Sequence, residues 1–381
     1  MSEKIICITN DFGPRAGGIE TFVIGLIERA PFGSIVVYTS QQGDTSAYDL
    51  GWLNDFGVKV VRDKSKILLP TPRVISAVKR VISEEKIAIA FFGAAAPLAV
   101  MAKSLRKVGV EKIVSLTHGH EVWWAKLWPF KFAIRYIGNH VDNLTYLGEF
   151  TRSEISRGLS QKARDAMVKI APGIDTSHFS PQASARELRE ALGLRDKKVI
   201  VSVGRLVHRK GQDFLIRALP EILKSHPDAH ILLVGEGPYR SELEKLAREL
   251  NLQDAITFIG RIQYAALPTY ICVGDIFAMP SRSRLAGLEV EGLGIVYLEA
   301  SACELPVIAG KSGGAPDAVL EGISGVTVEG TNATEIAKAA IYLMSDPIKA
   351  KEMGKRGREW IEAQWRWDIW AREFFKLLKA D

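Results

Sequence analysis

Two glutamates, Glu291 and Glu299, flank the glycine-rich stretch whose residue types are best suited to chemistry. The stretch lies between a short apolar run and a segment with helical spacing, Tyr297 to Cys303. Gly292 and Gly294 would let a ligand approach the backbone, and free N–H groups at a helix N-terminus attract phosphate or sugar oxygens. The spacing corresponds to about 12 Å of helix, so one carboxylate could bind a sugar and the other a ribose, with a diphosphate between them. The alternative is a capping acid and a surface acid on an ordinary helix.

A loop with cations between two glycines is predicted to hold phosphate. It runs from Gly204 to Gly211, after the first strand of the second half, and it leads into a helix. Arg205 can donate to two oxygens at once, and Lys210 acts as a point charge. The GxxxxGK[ST] spacing of a Walker loop is missing. Two other strand ends could hold a nucleotide base or only turn the chain. They lie at Gly235 and at Gly260, Arg261 and Ile262.

Histidines end a predicted strand of the first half, in the run Thr117-His118-Gly119-His120-Glu121. His118 could hydrogen-bond a sugar hydroxyl. The HisxHisGlu pattern also suggests a metal, but no third cluster of ligands supports it. The chain has no Asp-x-Asp pair, with which divalent-metal-dependent sugar transferases hold a nucleotide diphosphate. We therefore predict no metal, and charge neutralisation by Arg205, Lys210 and helix dipoles.

Positive charge is concentrated in the first half of the chain. Residues 1–171 carry 23 Lys and Arg against 16 Asp and Glu, whereas the remainder carries 27 against 28. This half could face anionic lipid or a phosphorylated substrate, and no nucleic-acid-binding motif is recognised. It also contains aromatics that alternate with bases, a pattern that suits either a membrane interface or a packed helix. These residues are Trp123, Trp124, Trp128, Phe130 and Phe132, with Lys126, Lys131 and Arg135.

The elements that must position these residues alternate between strand and helix, which predicts an α/β protein with doubly wound parallel sheets. The first half has predicted strands at 4–9, 34–39, 58–61, 88–92, 112–117 and 143–147. The second half has them at 198–203, 230–235, 255–259, 275–279, 306–309 and 325–328. Residues 171–175 interrupt the alternation and are the predicted linker.

A glycine-rich loop with Gly17 and Gly18 joins the first strand to the first helix, as in ligand-binding doubly wound domains. Its spacing is not GxGxxG, which argues against a dinucleotide. Cys7, Cys272 and Cys303 show no paired spacing, which predicts a reduced cytoplasmic chain without disulfides or zinc. No secretory signal is recognised, and the longest uncharged stretch is shorter than the ~20 residues that span a bilayer.

In their order and separations these motifs resemble glycosyltransferase family 4, the retaining transferases of GT-B architecture. The likeness extends over nearly the whole chain. Its motifs are Gly17-Gly18-Ile19-Glu20, His118, Gly204-Arg205 with Lys210-Gly211, Gly235-Glu236-Gly237-Pro238, and the E-x7-E element Glu291 to Glu299. The resemblance implies two Rossmann-like domains facing a cleft. Residues 1–171 would bind the acceptor and 172–364 the nucleotide sugar, with 365–381 returning to the first domain. It also implies that no metal or other cofactor is needed.

The resemblance assigns a role to each candidate residue. Glu299 would bind the nucleotide ribose, and Arg205 and Lys210 would hold the diphosphate and stabilise the leaving group. Glu291 would hold the donor sugar, and His118 would contact it from the first domain. Gly17 and Gly18 would approach the phosphate or the acceptor. The remaining predicted donor contacts are Gly235, Gly260, Arg261, Ile262, Gly292, Leu293, Gly294, Ile295 and Val296.

Within the family, the chain is similar to actinobacterial GDP-mannose-dependent mannosyltransferases that act on phosphatidylinositol monomannoside. This likeness implies GDP-mannose as donor, an anionic glycolipid as acceptor and front-face transfer with retention of configuration. It also implies peripheral contact with the inner face of the cell membrane. Other donors or acceptors, such as a glycerolipid or a soluble polyol, remain open. So do a GT-B sugar-nucleotide epimerase, a dinucleotide oxidoreductase and a non-catalytic sugar-nucleotide binder.

Overall fold

The structure is a computed structural model that describes residues 3–14 and 17–379. The chain divides into two compact units, the first made of residues 1–173 and 367–381 and the second of residues 174–366. Each unit contains one parallel sheet with helices around it. The predicted α/β architecture of two doubly wound domains is therefore confirmed.

The first unit is built on seven strands: β1 Ile5–Thr9, β2 Ile35–Ser40, β3 Lys59–Asp63, β4 Ile89–Phe92, β5 Lys112–Ser115, β6 Asn143–Tyr146 and β7 Val168–Lys169. Their order in the sheet is β3-β2-β1-β4-β5-β6-β7. Its first eight α-helices are α1 Gly18–Ile27, α2 Ser46–Phe56, α3 Pro72–Glu85, α4 Ala102–Arg106, α5 Glu121–Lys126, α6 Phe130–His140, α7 Glu149–Ser156 and α8 Gln161–Asp165. β1 and β4 are fully buried, as expected for central strands covered on both faces.

The second unit is built on six strands: β8 Lys198–Val203, β9 Ala229–Val234, β10 Ile256–Gly260, β11 Ile276–Met279, β12 Val307–Gly310 and β13 Gly325–Val328. Their order is β10-β9-β8-β11-β12-β13. Its α-helices are α9 Ala185–Ala191, α10 Gln212–Ser225, α11 Arg240–Glu249, α12 Leu267–Cys272, α13 Ile295–Ala302, α14 Ala333–Ser345 and α15 Pro347–Gln364. The sheet order reverses between β8 and β11, and ligands of doubly wound sheets bind beyond the carboxyl ends of the strands at such a point.

The last helix, α16 (Trp367–Leu378), belongs to the first unit. Trp367 packs beside Phe22 of α1, with ring centroids 6.2 Å apart. Its ring occupies the place where a side chain on Gly25 would lie. Trp360 and Trp365 instead pack edge to face in the second unit, with ring centroids 5.5 Å apart. The contact of Trp367 with Phe22 therefore lies within the first unit, and that of Trp360 with Trp365 lies within the second.

All twelve predicted strands are present, and their bounds move by at most two residues. The prediction missed β7, because this strand has only two residues and both are half-buried. The two units meet in sequence between Gly173 and Ile174. In the first unit, Gly173 lies so close to the backbone of Trp367 that a side chain there would clash.

Candidate active site

The loop before α13 brings both motif glutamates to the carboxyl edge of the second sheet. Gly294 caps α13 with a φ of 82°, a left-handed conformation that favours glycine. Tyr297 in the first turn donates its hydroxyl to the carbonyl of Met279, at 2.7 Å, which fixes the helix to the end of β11. The backbone N–H of Gly314 donates to the carbonyl of Glu291, at 2.8 Å. The loop is thus held by a backbone hydrogen bond at Glu291 and by the Tyr297 side chain at the start of α13.

A buried cluster of opposite charges forms around Glu291. Both Lys210 Nζ and Arg209 Nη1 donate to Oε2 of Glu291, each at 2.8 Å. Lys210 and Glu291 are only 9% and 8% exposed, so the charges compensate each other out of water. Burial alone would raise the pKa of Glu291, but the charges of Lys210 and Arg209 outweigh it and hold the pKa below its usual value. Glu291 is therefore an ionised carboxylate flanked by two cations.

Glu299 lies in α13, eight residues after Glu291, and its environment is different. It is 7% exposed, and no side chain among the described residues hydrogen-bonds its carboxylate. Burial raises its pKa to about 7, against the opposing charge of Lys210. A buried carboxylate without a protein partner is costly, and hydroxyl groups of a ligand would satisfy it. The ribose-binding role of Glu299 stays a prediction.

The cation loop after β8 brings a residue outside the prediction, Arg209, to Glu291. Arg205 is exposed, and its side chain makes no hydrogen bond or ion pair within the described part of the chain. Arg209 instead joins Lys210 on Glu291, and its Nε also lies 3.9 Å from Glu289. Gly211 has a φ of 75° and packs directly on the carbonyl of Pro280, so the loop is held to the end of β11.

Sequence reasoning therefore missed Arg209 as a site residue. The only local signal was its place beside Lys210 in a run of bases, which does not tell one cation from the next.

The other predicted donor residues reach the same edge of the second sheet. Gly235 N donates to the carbonyl of Gly260 at 2.9 Å, and Gly204 N donates to that of Val234 at 3.0 Å. The ends of β8, β9 and β10 therefore lie side by side, with Arg261 exposed and Ile262 half-buried beside them. In the α13 segment, Leu293 and Val296 are buried, whereas Gly292 and Ile295 are partly exposed.

In the first unit, His118 follows β5 at the carboxyl edge. Its Nε2 lies 2.5 Å from the carbonyl of Gly93, after β4. Because a carbonyl only accepts, Nε2 carries the proton and Nδ1 keeps its lone pair. Burial lowers the pKa of His118, although Glu121 opposes this effect. A neutral imidazole with an acceptor nitrogen can bind a hydroxyl group, and the contact of His118 with the donor sugar stays a prediction.

Gly17 caps α1, and its carbonyl accepts from Thr21 N at 2.9 Å. A side chain on Gly17 would meet the Glu20 carboxylate, whereas Gly18 has open space around it. Arg15 and Ala16 of the same loop lie outside the described residues.

The described residues contain no group of three or more His, Cys, Asp or Glu side chains arranged to hold a metal ion.

The site geometry agrees with relationships to known proteins. Residues 184–360 match the family described as glycosyl transferases group 1. The GDP-mannose-dependent alpha-(1-6)-phosphatidylinositol monomannoside mannosyltransferase of Mycolicibacterium smegmatis is 43% identical over 99% of this chain and 98% of its own. This chain belongs to the group 1 glycosyltransferases.

Two further relatives of this glycosyltransferase are similar over nearly their whole length. The enzyme of the same name from Mycobacterium tuberculosis is 40% identical over 99% of this chain and 98% of its own. The GDP-mannose-dependent monoacylated alpha-(1-6)-phosphatidylinositol monomannoside mannosyltransferase of Corynebacterium glutamicum is 39% identical over 100% and 99%. The family predicted from the motifs is confirmed.

Solved structures resemble this glycosyltransferase in fold. HepE of Anabaena in complex with UDP has a TM-score of 0.82 at 19% identity, and the match covers 98% of this chain and 99% of that one. Sucrose-phosphate synthase from Thermosynechococcus elongatus has a TM-score of 0.78 at 22% identity, with 98% of both chains covered. At these identities the likeness supports the fold alone.

Proposed function

We propose that this glycosyltransferase moves a mannosyl group from GDP-mannose to a phosphatidylinositol monomannoside. The observation that carries the proposal is the identity of 39–43%, over nearly the whole chain, to mannosyltransferases named for this donor and acceptor. The charge cluster of Lys210, Arg209 and Glu291 supports it, because a sugar–diphosphate donor needs cations beside groups that bind sugar hydroxyls.

The contacts at the second sheet suggest how the donor is held. Glu299 has no protein partner and would accept hydrogen bonds from the ribose hydroxyls. Both cations donate to Oε2 of Glu291, so Oε1 would bind the mannose hydroxyls. An ammonium has three protons and Lys210 uses one on Glu291, which leaves donors for a phosphate oxygen. Arg205, exposed at the loop tip, would close on the other phosphate oxygens.

Glu291 is poorly suited to act as a nucleophile. Its lowered pKa and its two cationic partners reduce the availability of its lone pairs. We therefore favour front-face transfer with retention, in which the leaving phosphate oxygen takes the proton of the acceptor hydroxyl. The bond from the mannosyl carbon to the diphosphate breaks as the bond to the acceptor oxygen forms. Catalysis would come from positioning and from stabilisation of the departing diphosphate by Lys210 and Arg205. No metal is required for these steps.

We further propose that the first unit contacts a membrane surface through the loop between α5 and α6 and the outer face of α6. Trp128 is 78% exposed and Phe132 is 62% exposed, with Lys131 and Arg135 exposed on the same helix. Trp123 and Trp124 pack instead against Phe130, with ring centroids 4.8 and 5.0 Å from it. Exposed aromatics among bases suit a surface of anionic lipid. In the part of the chain that the structure describes, no helix is both long and apolar enough to span a bilayer.

A product assay tests the donor, the acceptor and the need for metal together. Purified protein would receive GDP-mannose, UDP-glucose or UDP-N-acetylglucosamine with phosphatidylinositol monomannoside, in the presence of EDTA. We expect the lipid to gain one hexose from GDP-mannose alone. Transfer from a uridine nucleotide sugar would contradict the donor. Slow donor hydrolysis without a lipid product would contradict the acceptor, while activity restored by an added divalent cation would contradict the absence of a metal. A deacylated acceptor separates recognition of the headgroup from contact with the lipid.

A further inference from the structure

Two cysteines that are far apart in the sequence lie together in the second unit. Cys272 ends α12, and Cys303 is the C-cap of α13. The two helices α12 and α13 pack against each other, and each thiol is close enough to the other to shift its pKa. Both line one cavity of about 520 Å³ at the amino ends of the strands, beside Lys198 of β8 and Ile276 of β11. This is the opposite edge of the sheet from Glu291 and Lys210, so the proposed transfer does not use them.

The two thiols differ in reactivity. Cys272 is partly exposed and donates weakly to the carbonyl of Ser180 at 3.5 Å, whereas Cys303 is 5% exposed. The hydrogen bond from Cys303 lowers the pKa of Cys272 and raises that of Cys303, whose burial raises it further. The guanidinium of Arg358 lies close by, since its Nη1 donates to the carbonyl of Ala302 at 2.5 Å. A cation beside a partly exposed thiol favours its thiolate form.

We propose that Cys272 and Cys303 are a disulfide-forming pair that reacts with low-molecular-weight disulfides. The Cys272 thiolate attacks one sulfur of a disulfide RSSR, which forms a mixed disulfide and releases RS⁻. Cys303 then gives its proton to solvent and attacks Sγ of Cys272, which expels the second RS⁻. The two thiolates take up the two protons. One RSSR is thereby reduced to two RSH while the two cysteine thiols are oxidised to one disulfide.

The position of the pair ties it to the proposed donor site. The chain between Cys272 and Cys303 contains the whole Glu291 loop and most of α13, including Glu299. A disulfide would covalently join the two ends of the segment that carries both carboxylates. This proposal differs from the prediction made from the spacing of the cysteines, which was of a chain without disulfides, and all three cysteines are free thiols in the structure.

Full-length protein treated with excess oxidised glutathione provides the test. After acid quenching, denaturation and alkylation with iodoacetamide, we expect only Cys7 to be alkylated. Tryptic peptides should show a link between Cys272 and Cys303, which dithiothreitol removes. Trypsin separates the two peptides because Arg282 and Arg284 lie between them. Three alkylated cysteines, or glutathione on Cys272 with Cys303 alkylated, would overturn the proposal.

Matched variants make the assignment specific. Cys7→Ser should still form the link, since Cys7 is buried in β1 of the other unit. Cys303→Ser should stop at the mixed disulfide of Cys272 with glutathione, and Cys272→Ser should leave Cys303 reduced. Circular dichroism confirms that each variant is folded, and Cys303→Ala replaces Cys303→Ser if the latter is not. A link that persists in Cys303→Ser or forms with Cys7 would refute the pairing. None of these measurements depends on transferase activity.

Discussion

The carboxyl edges of the two sheets share a topology but differ in charge. In the second unit, Lys210, Arg209 and Glu291 form a buried ionic cluster, and Glu299 lies buried beside it. In the first unit, the corresponding edge presents the neutral imidazole of His118, which is held by a backbone carbonyl. The first edge suits hydroxyl groups, whereas the second suits a diphosphate. Loops, and not the sheets that carry them, therefore determine the chemistry of each unit.

The comparison also shows where each unit keeps its positive charge. The second unit is nearly balanced overall, yet it buries cations at its sheet edge. The first half carries the excess of bases, and Lys131 and Arg135 are exposed on α6, away from the strands. Buried cations hold a small charged ligand, whereas exposed ones attract an extended anionic surface.

Removal of the buried ammonium should have the largest effect. We expect Lys210→Met to reduce kcat by roughly 10²–10³-fold, because it removes a cation that would stabilise the leaving diphosphate. It should also lower the free energy of unfolding by about 3–5 kcal/mol at most, since it removes one partner of a buried ion pair. Steady-state kinetics and urea unfolding measure the two effects. Lys245→Met, on the exposed face of α11, is the matched control, and unchanged kcat in Lys210→Met would contradict the proposed role.

The two arginines of the cation loop should separate catalysis from positioning. Arg205 is exposed and unpaired in the described structure, so Arg205→Ala should lower kcat by about 10–100-fold and leave the unfolding midpoint unchanged. Arg209 holds Glu291, so Arg209→Ala should mainly raise KM for GDP-mannose, by about tenfold, and lower the midpoint. The reverse assignment of kcat and KM effects would show that Arg209, not Arg205, contacts the diphosphate.

Glu299 should make GDP binding depend on pH. Its pKa of about 7 means that the carboxylate becomes protonated below pH 7 and loses acceptor capacity for the ribose hydroxyls. The affinity for GDP should fall by up to about tenfold per pH unit below 7, measured by calorimetry. Glu299→Gln should bind GDP more weakly at pH 8 but without this slope. An identical slope in the variant would assign the dependence to another group.

The same residue affects stability in the opposite direction without ligand. The folded-state pKa is raised above the unfolded value, so the folded chain holds this proton more tightly. Its contribution to stability is therefore greatest at low pH and is lost as the pH rises toward 7. Glu299→Gln should remove that loss, which urea unfolding at pH 5 and pH 8 can measure.

A smaller effect is expected at the neutral edge of the first unit. His118→Asn should reduce turnover by about tenfold, as expected for one hydrogen bond to a sugar hydroxyl. Because its lowered pKa keeps His118 neutral, the ratio of wild-type to variant rates should stay constant between about pH 6.5 and 8.5. A ratio that changes with pH in this range would show that the imidazole is charged in the working enzyme.

The smallest effect is expected on the exposed aromatics. Trp128→Ala should weaken binding to vesicles that contain phosphatidylinositol by about threefold to tenfold, measured by sedimentation. Phe32→Ala is the matched control, since Phe32 is 71% exposed in the same unit but lies outside the proposed membrane surface. Equal losses in both variants would indicate nonspecific adhesion, and no loss in Trp128→Ala would remove this surface from the proposal.

The strands, the E-x7-E element and the glycine turns could be predicted from sequence because their signals are local. Apolar runs mark buried strands, and Gly211 and Gly294 occupy left-handed positions at helix starts. The partner of Glu291 was harder to assign. Arg205, Arg209 and Lys210 all lie in one run of bases, and only the packing of the loop on Pro280 decides which side chains turn inward.

By itself, the sequence determined the alternation of strands and helices, the two-domain α/β architecture and the family, because hydrophobic period and motif order are properties of the chain. Only the tertiary structure decided that Arg209 contacts Glu291, that the pKa of Glu299 is raised and that Cys272 meets Cys303. Each of these depends on burial or on contact between residues far apart in the chain. Such effects arise only once the loops have packed and water has been excluded.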